Sequence, residues 1–279
     1  NPSPAPLPYL PEGTGYTSVG SWPSFSTYDA QDGLIYVSNA LSNNVSVLNG
    51  STLVATVALL PEPDLNTPGF VVYDSWSGEV DVLGDAVNVG TRGTASILQG
   101  TSLVDTVQVG SYPTAAVLDD QNGYVYVANA DSNNVTVLNG STVVGWVAVG
   151  SSPSAAIYDP SNGDVYVVNS ALYSSTFQSG TVSVLSGLNA TATVTVGSTP
   201  LWGVYDSVHQ LVFVTNTASN TLSILDVGPV PSTGALSTEW YLAIGTGVAI
   251  AVGAIALVMV RRPKHPPSSP SPRSDVSPP

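Results

Sequence analysis

The sequence predicts an all-β fold: a β-propeller of about five four-stranded blades, closed by its N-terminal strand, plus one C-terminal transmembrane α-helix. Three observations predict it. A Pro precedes an Asp by six residues five times, at Pro23/Asp29, Pro68/Asp74, Pro113/Asp119, Pro153/Asp159 and Pro200/Asp206, at intervals of 45, 45, 40 and 47 residues. Each unit then reads as short Val- and Tyr-rich runs bounded by Gly, Asn, Asp and Pro, and four strands per 40 to 47 residues is a propeller-blade period. A uniformly apolar run of 21 residues, Trp240 to Val260, stands outside that pattern.

In chain order, residues 1–13, NPSPAPLPYLPEG, read as a Pro-rich linker, and residues 14–228 as the propeller. TGYTSVG (14–20) ends like the fourth strands VDTVQVG and VGWVAVG, while the last unit stops after its third run, TLSILD (221–226). Residues 14–19 are therefore expected to complete the last blade and remove a free sheet edge. The third unit shows the full set: TAAVL (114–118), YVYVAN (124–129), NVTVLN (134–139) and VVGWVAV (143–149). Four units place Gly four residues after the repeated Asp (Gly33, Gly78, Gly123, Gly163), and the fifth places Gln210 there. That is turn chemistry: the carboxylate holds the turn backbone and Gly takes the left-handed conformation. Asn49-Gly50 and Asn139-Gly140 signal two-residue hairpins between third and fourth strands. Blades one and three are the most alike: Leu34–Thr52 and Tyr124–Thr142 agree at 14 of 19 positions.

Beyond the propeller, residues 229–239 read as a linker and residues 240–260 as a membrane helix. At 1.5 Å per residue the helix spans about 31 Å, the thickness of a bilayer's hydrocarbon core. Trp240 and Tyr241 anchor one end, and Arg261, Arg262 and Lys264 flank the other, which places the propeller outside and the C-terminus in the cytoplasm. Gly245, Ala249 and Gly253 are spaced for close helix approach and hence self-association, although small residues are common in any membrane helix. The tail 261–279 has seven prolines in 19 residues and no apolar pattern, and is expected to be disordered. The sequence begins at Asn1 without an initiator Met or export signal, so a mature or truncated form is expected.

YVSN (36–39), YVAN (126–129), YVVN (166–169) and FVTN (213–216) carry a common signature. With NVSVLNG, NVTVLNG and the VGSxP segments beginning at Val19, Val109, Val149 and Val196, they resemble the YVTN-type β-propeller repeat family over about residues 14–228. Unit two departs from the signature, with VDVLG (80–84) in its place. The resemblance implies a cell-surface or surface-layer-like protein, since similar repeats occur in prokaryotic, notably archaeal, envelope proteins.

Composition narrows the chemistry. With no Cys there is no disulfide, thiolate metal site or Cys nucleophile. The formal net charge is −14, and the first 240 residues carry Arg92 alone against 18 acidic side chains, so nucleic acid is not an expected partner. The runs expected to line the channel, SFSTY, GFVVY, TAAVL, SAAIY and LWGVY, hold no charged residue and no His. No catalytic residue, cofactor or metal is expected. His209 reads as a solvated turn residue, and the repeated Asps as turn residues rather than paired carboxylates.

The Asn that ends each second strand (Asn39, Asn129, Asn169, Asn216) either faces a ligand or bonds the following loop; its recurrence favours the loop. Better binding candidates break the repeat: Trp22, Tyr112 and Trp202 in or beside the blade connections, and Tyr173 and Phe177 in the insert ALYSSTFQSG (171–180). Such aromatics suit contact with a surface protein or carbohydrate, and packing between blades is an equal reading for Trp22 and Trp202. Five glycosylation sequons, Asn44, Asn49, Asn134, Asn139 and Asn189, fall at or beside third strands. The expected function is a binding, adhesion or envelope-structural module without catalysis. The alternative is a lactonase-like propeller hydrolase with a metal at the channel mouth, which metal analysis separates from the first reading.

Overall fold

The computed structural model describes residues 15–59, 66–86, 92–171 and 179–228, all within one compact unit of the chain. The expected membrane helix, both linkers and the tail lie outside the described residues. No described helix is long and apolar enough to cross a membrane.

The described residues form nineteen strands in five antiparallel sheets. Blade 1 is β1 (Pro23–Asp29), β2 (Leu34–Asn39), β3 (Asn44–Asn49) and β4 (Thr52–Ala58). Blade 2 is β5 (Asn66–Asp74), β6 (Glu79–Ala86), β7 (Thr94–Gln99) and β8 (Ser102–Gln108). Blade 3 is β9 (Pro113–Asp119), β10 (Tyr124–Asn129), β11 (Asn134–Asn139) and β12 (Thr142–Ala148). Blade 4 is β13 (Pro153–Asp159), β14 (Asp164–Asn169), β15 (Ser179–Ser186) and β16 (Asn189–Ser198). Blade 5 has three strands, β17 (Pro200–Asp206), β18 (Leu211–Asn216) and β19 (Thr221–Asp226). In every sheet the strands pair in sequence order, as hairpin connections require.

The repeated Pro opens each first strand and the repeated Asp closes it. The Asp carboxylate then organises the turn: Asp29 accepts from the Gln31 and Asp32 amides at 2.8 and 3.1 Å, and Asp74, Asp119, Asp159 and Asp206 repeat the pattern two residues on. Gly33, Gly78, Gly123 and Gly163 each donate to the carbonyl of that Asp and sit at φ 71° to 75°. Gln210 adopts φ 55° in the fifth turn, where a side chain makes the left-handed conformation costlier. The second hairpin differs from the expected turn by one residue. Asn49 pairs with Thr52 and Asn139 with Thr142, so the two-residue loops are Gly50-Ser51 and Gly140-Ser141, with Gly at φ 57° and 52°. Gly in the first loop position is a good hairpin former, and the Asn belongs to the strand.

The core lies between blades. Four apolar clusters fill the seams 1/2, 2/3, 3/4 and 4/5, each built from alternate residues of facing strands. Val45 and Val47 of β3 meet Val80 and Val82 of β6, and Val135 and Val137 of β11 meet Val165 and Val167 of β14. Each fully buried aliphatic side chain is worth about 1.5–3 kcal/mol relative to exposure, so the seams, not the isolated sheets, hold the fold.

The expected closure does not form. Residues 15–19 are not a strand, and among the described residues β19 pairs only with β18. The N-terminal segment lies along blade 1 instead. The Thr17 hydroxyl donates to the Ser51 carbonyl, the Gly20 amide to Ser46 Oγ at 3.3 Å and the Ser21 amide to Ser42 Oγ at 2.9 Å. The physical reason recurs along the chain. Gly110 bonds Thr136 Oγ1, Gly150 Ser183 Oγ and Gly197 Ser223 Oγ, so the VGS segment encodes docking on the blade that follows it.

Candidate functional site

The face formed by the blade connections and the loops after the second strands is the candidate site. In units one, three, four and five the residue before the repeated Pro is Trp22, Tyr112, Ser152 and Thr199, at φ 60°, 56°, 52° and 51°; unit two has Thr67 there. Left-handed backbone is unfavourable for such residues, and these positions keep it through paired hydrogen bonds. The Trp22 carbonyl accepts from the Ala40 amide at 2.9 Å, and the Tyr112 carbonyl from the Ala130 amide at 2.8 Å. Ser152 and Thr199 are held in the same way by Ser170 and Thr217. Connection and loop are thus one rigid ledge, repeated four times. In blades 1 and 3 the ledge carries an aromatic ring in solvent, with Trp22 72% exposed and Tyr112 43%. Packing between blades does not describe Trp22.

Trp202 sits elsewhere, on the innermost strand of blade 5. Its ring centroid lies 6.4 Å from Phe70, which is 5.3 Å from Phe25. These three occupy one repeat position, two residues after Pro, which in blades 3 and 4 holds Ala115 and Ala155. Phe25 and Phe70 therefore join the candidate residues. Their signal was the unit-by-unit change of that one position from aromatic to Ala, visible only once the repeat is aligned. Tyr173 and Phe177 lie outside the described residues.

The repeated Asn residues are buried and structural in their contacts. The Asn129 amide donates to the Val127 carbonyl, Asn134 Oδ1 and Thr136 Oγ1 at 3.0 Å each. Asn39 donates likewise to Asn44 Oδ1 and Ser46 Oγ, Asn169 to Thr181 Oγ1 and Ser183 Oγ, and Asn216 to Thr221 Oγ1 and Ser223 Oγ. A Cβ on the glycine of the preceding VGS segment would approach within 2.7 Å of the Asn Cβ at Gly20 and Gly197 and within 2.6 Å at Gly110. The Asn fills the space that glycine leaves. Unit two carries neither residue: Leu65 stands at the glycine position and Gly84 at the Asn position.

Among the sequons, Asn49, Asn139 and Asn189 are exposed, whereas Asn44 and Asn134 are half-buried, with Oδ1 engaged by Asn39 and Asn129. Any glycan is thus expected on Asn49, Asn139 or Asn189. Glycopeptide mass mapping of native protein before and after deglycosylation checks this; occupancy at Asn44 or Asn134 alone contradicts it.

Two carboxyl groups among the described residues are shifted from their ordinary range. His209 Nδ1 lies 2.6 Å from Asp206 Oδ2 at an exposed turn, and hydrogen bonds from the His209 ring and backbone hold that carboxyl below its ordinary range. Asp81 is buried on β6 at the position where other units have Tyr or Phe. Burial pushes its carboxyl well above the usual range, and the charges of Asp74 and Glu79 push the same way. Arg92 lies over the Trp146 ring at 5.4 Å. Among the described residues no group of three or more His, Asp or Glu could hold a metal ion.

No protein-family model and no curated protein matches the sequence. Solved structures do match by shape. Kuenenia stuttgartiensis hydrazine synthase is similar at 12% identity and TM-score 0.58, covering 78% of this chain and 70% of that one. Virginiamycin B lyase from Staphylococcus aureus is similar at 13% identity and TM-score 0.53, covering 76% and 71%. A functionally unknown protein from Desulfotomaculum acetoxidans is similar at 14% identity and TM-score 0.56, covering 75% and 70%. At these identities the likeness concerns the fold alone, and the described residues are a β-propeller assembly of stacked antiparallel sheets.

Proposed function

We propose that the chain is a membrane-anchored, extracellular β-propeller that works as a binding, adhesion or envelope-structural module, its C-terminal tail in the cytoplasm. The observation that carries the binding reading is the pair of solvent-facing rings, Trp22 and Tyr112, each fixed on a hydrogen-bonded ledge. Large rings held before binding lose little entropy when a sugar face or a protein surface covers them. The apolar run 240–260 with its flanking Arg and Lys supports the anchor and its orientation. The runner-up remains a hydrolase.

The test displays the full-length chain on cells and measures binding of envelope glycans and envelope proteins. Trp22→Ala with Tyr112→Ala is expected to lower binding about tenfold or more while thermal stability stays within a few degrees of wild type. Unchanged binding overturns the assigned face. A tightly held stoichiometric metal with ester hydrolysis favours the hydrolase.

A further inference from the structure

The seams of this propeller repeat one pair of surfaces, and among the described residues each member of that pair also occurs once without its partner. At the 4/5 seam, Val182 and Val184 of β15 meet Val212 and Val214 of β18. Blade 5 carries its own copy of the first surface, Leu222 and Ile224 of β19, 52% and 58% exposed where Val182 and Val184 are 0% and 9%. Blade 1 carries its own copy of the second, with Ile35, Val37 and Tyr28. Tyr28 is 58% exposed, whereas Tyr73, Tyr158 and Tyr205 at the same repeat position pack into the seams in front of their blades.

The turn layer agrees independently. Gly78, Gly123 and Gly163 each lie beneath a side chain from the preceding blade's turn, Gln31, Trp76 and Gln121 respectively. Gly33 of blade 1 has nothing within 4 Å, and Val208, the blade 5 counterpart of those three covering side chains, is exposed. The strand layer agrees too, since the outer edge of β19 has no partner among the described residues. Blade 1 meanwhile carries Gly20 bonded to Ser46 as the segment that follows the preceding blade's outer strand is bonded at the 2/3, 3/4 and 4/5 seams.

We propose that blade 5 of one molecule receives blade 1 of a second copy, head to tail, the second copy's residues 15–19 running beside β19 as its fourth strand. The chain's own blade 1 is not the occupant: β1 and β17 form no seam like those of β1 with β5, β5 with β9, β9 with β13 and β13 with β17. Phe25, Phe70 and Trp202 meet at the centre, where the inner strands of blades 3 and 4 have Ala. The seam between copies would repeat the surfaces that meet at the 4/5 seam within the chain. The contact is heterologous, so copies add in one direction until the ring or filament closes or is capped. Both partners are acidic, so added salt strengthens the association. The inference does not depend on what the Trp22 face binds.

The test uses the full-length chain in detergent, with sedimentation velocity and native mass spectrometry. Wild type is expected to grow beyond a monomer as concentration rises. Ile224→Asp, or Leu222→Arg as a second block of the same end, and Tyr28→Glu at the other end are each expected to weaken self-association about 100-fold or more, because each buries an unpaired charge. All three sites are exposed, so the thermal transition stays near that of wild type. Mixing differently tagged Ile224→Asp and Tyr28→Glu chains is expected to restore a 1:1 pair, since each retains the end that the other has lost. A wild type that stays monomeric overturns the proposal, whether the ring closes on itself or another segment of the chain covers β19. Oligomers that survive in both variants also overturn it and assign association to the 240–260 segment.

Discussion

Gly110→Ala is expected to destabilise the propeller by roughly 2–4 kcal/mol, a drop of about 10 °C in Tm for a domain of this size. The new methyl group would meet Asn129 Cγ at 2.5 Å and Asn129 Cβ at 2.6 Å. Asn129 cannot step aside cheaply, because its amide holds three acceptors at 3.0 Å and it is fully buried. Moving it breaks the network that fixes the start of β11. The Gly110 amide would also leave Thr136 Oγ1, uncoupling blade 2's last strand from blade 3. Thermal unfolding by circular dichroism measures the loss. The second arm uses the arrangement that unit two already carries, with glycine at the Asn position. Asn129→Gly alone costs stability through its lost hydrogen bonds, but Gly110→Ala with Asn129→Gly should cost less than the sum of the two single losses by about 1 kcal/mol or more. Additive losses would show that the two residues do not share one space.

The repeat was legible in the sequence because its turn chemistry is written in side chains. Asp29 and Gly33, or Asp119 and Gly123, state the turn directly, since a side-chain oxygen that accepts the turn amides followed by a left-handed residue is its signature. Recurrence pointed Asn39, Asn129, Asn169 and Asn216 toward the following loop, whereas their hydrogen bonds reach mainly side chains of the third strand. Two features were not legible. Strand pairing is a backbone interaction that many sequences satisfy. The likeness of TGYTSVG to VDTVQVG therefore identified a segment that docks on the next blade through Gly20, and said nothing of the edge of β19. The central cluster of Phe25, Phe70 and Trp202 was hidden because its members lie up to 177 residues apart (202 − 25) in strands that read as ordinary β runs.

Asp81→Asn is expected to stabilise the protein at neutral pH and to leave it unchanged in acid. Asp81 stands on β6 where blades 1, 3 and 4 have Tyr36, Tyr126 and Tyr166, and it is almost wholly buried. Desolvation disfavours its charged form, and the neighbouring charges of Asp74 and Glu79 disfavour it further, so the folded state holds the proton well above the ordinary carboxylate range. The sign follows from linkage. A group whose folded pKa is raised contributes stability that is fully present below its unfolded pKa, near 3.8, and lost as pH rises through its folded value. Wild type should therefore lose stability from about pH 4 toward neutrality through this residue. Asp206 has the opposite sign, since its carboxyl is held low by His209, but it sits at an exposed turn and screening keeps its effect small. Asparagine keeps the shape of Asp81 without the proton. Unfolding midpoints of wild type and Asp81→Asn measured from pH 3.5 to 8 should coincide at the acid end and separate steadily above it, with the variant higher by on the order of 1 kcal/mol or more at pH 7. Parallel curves would mean that Asp81 keeps its charge in the fold, and that the acidic surface alone sets the response of this propeller to pH.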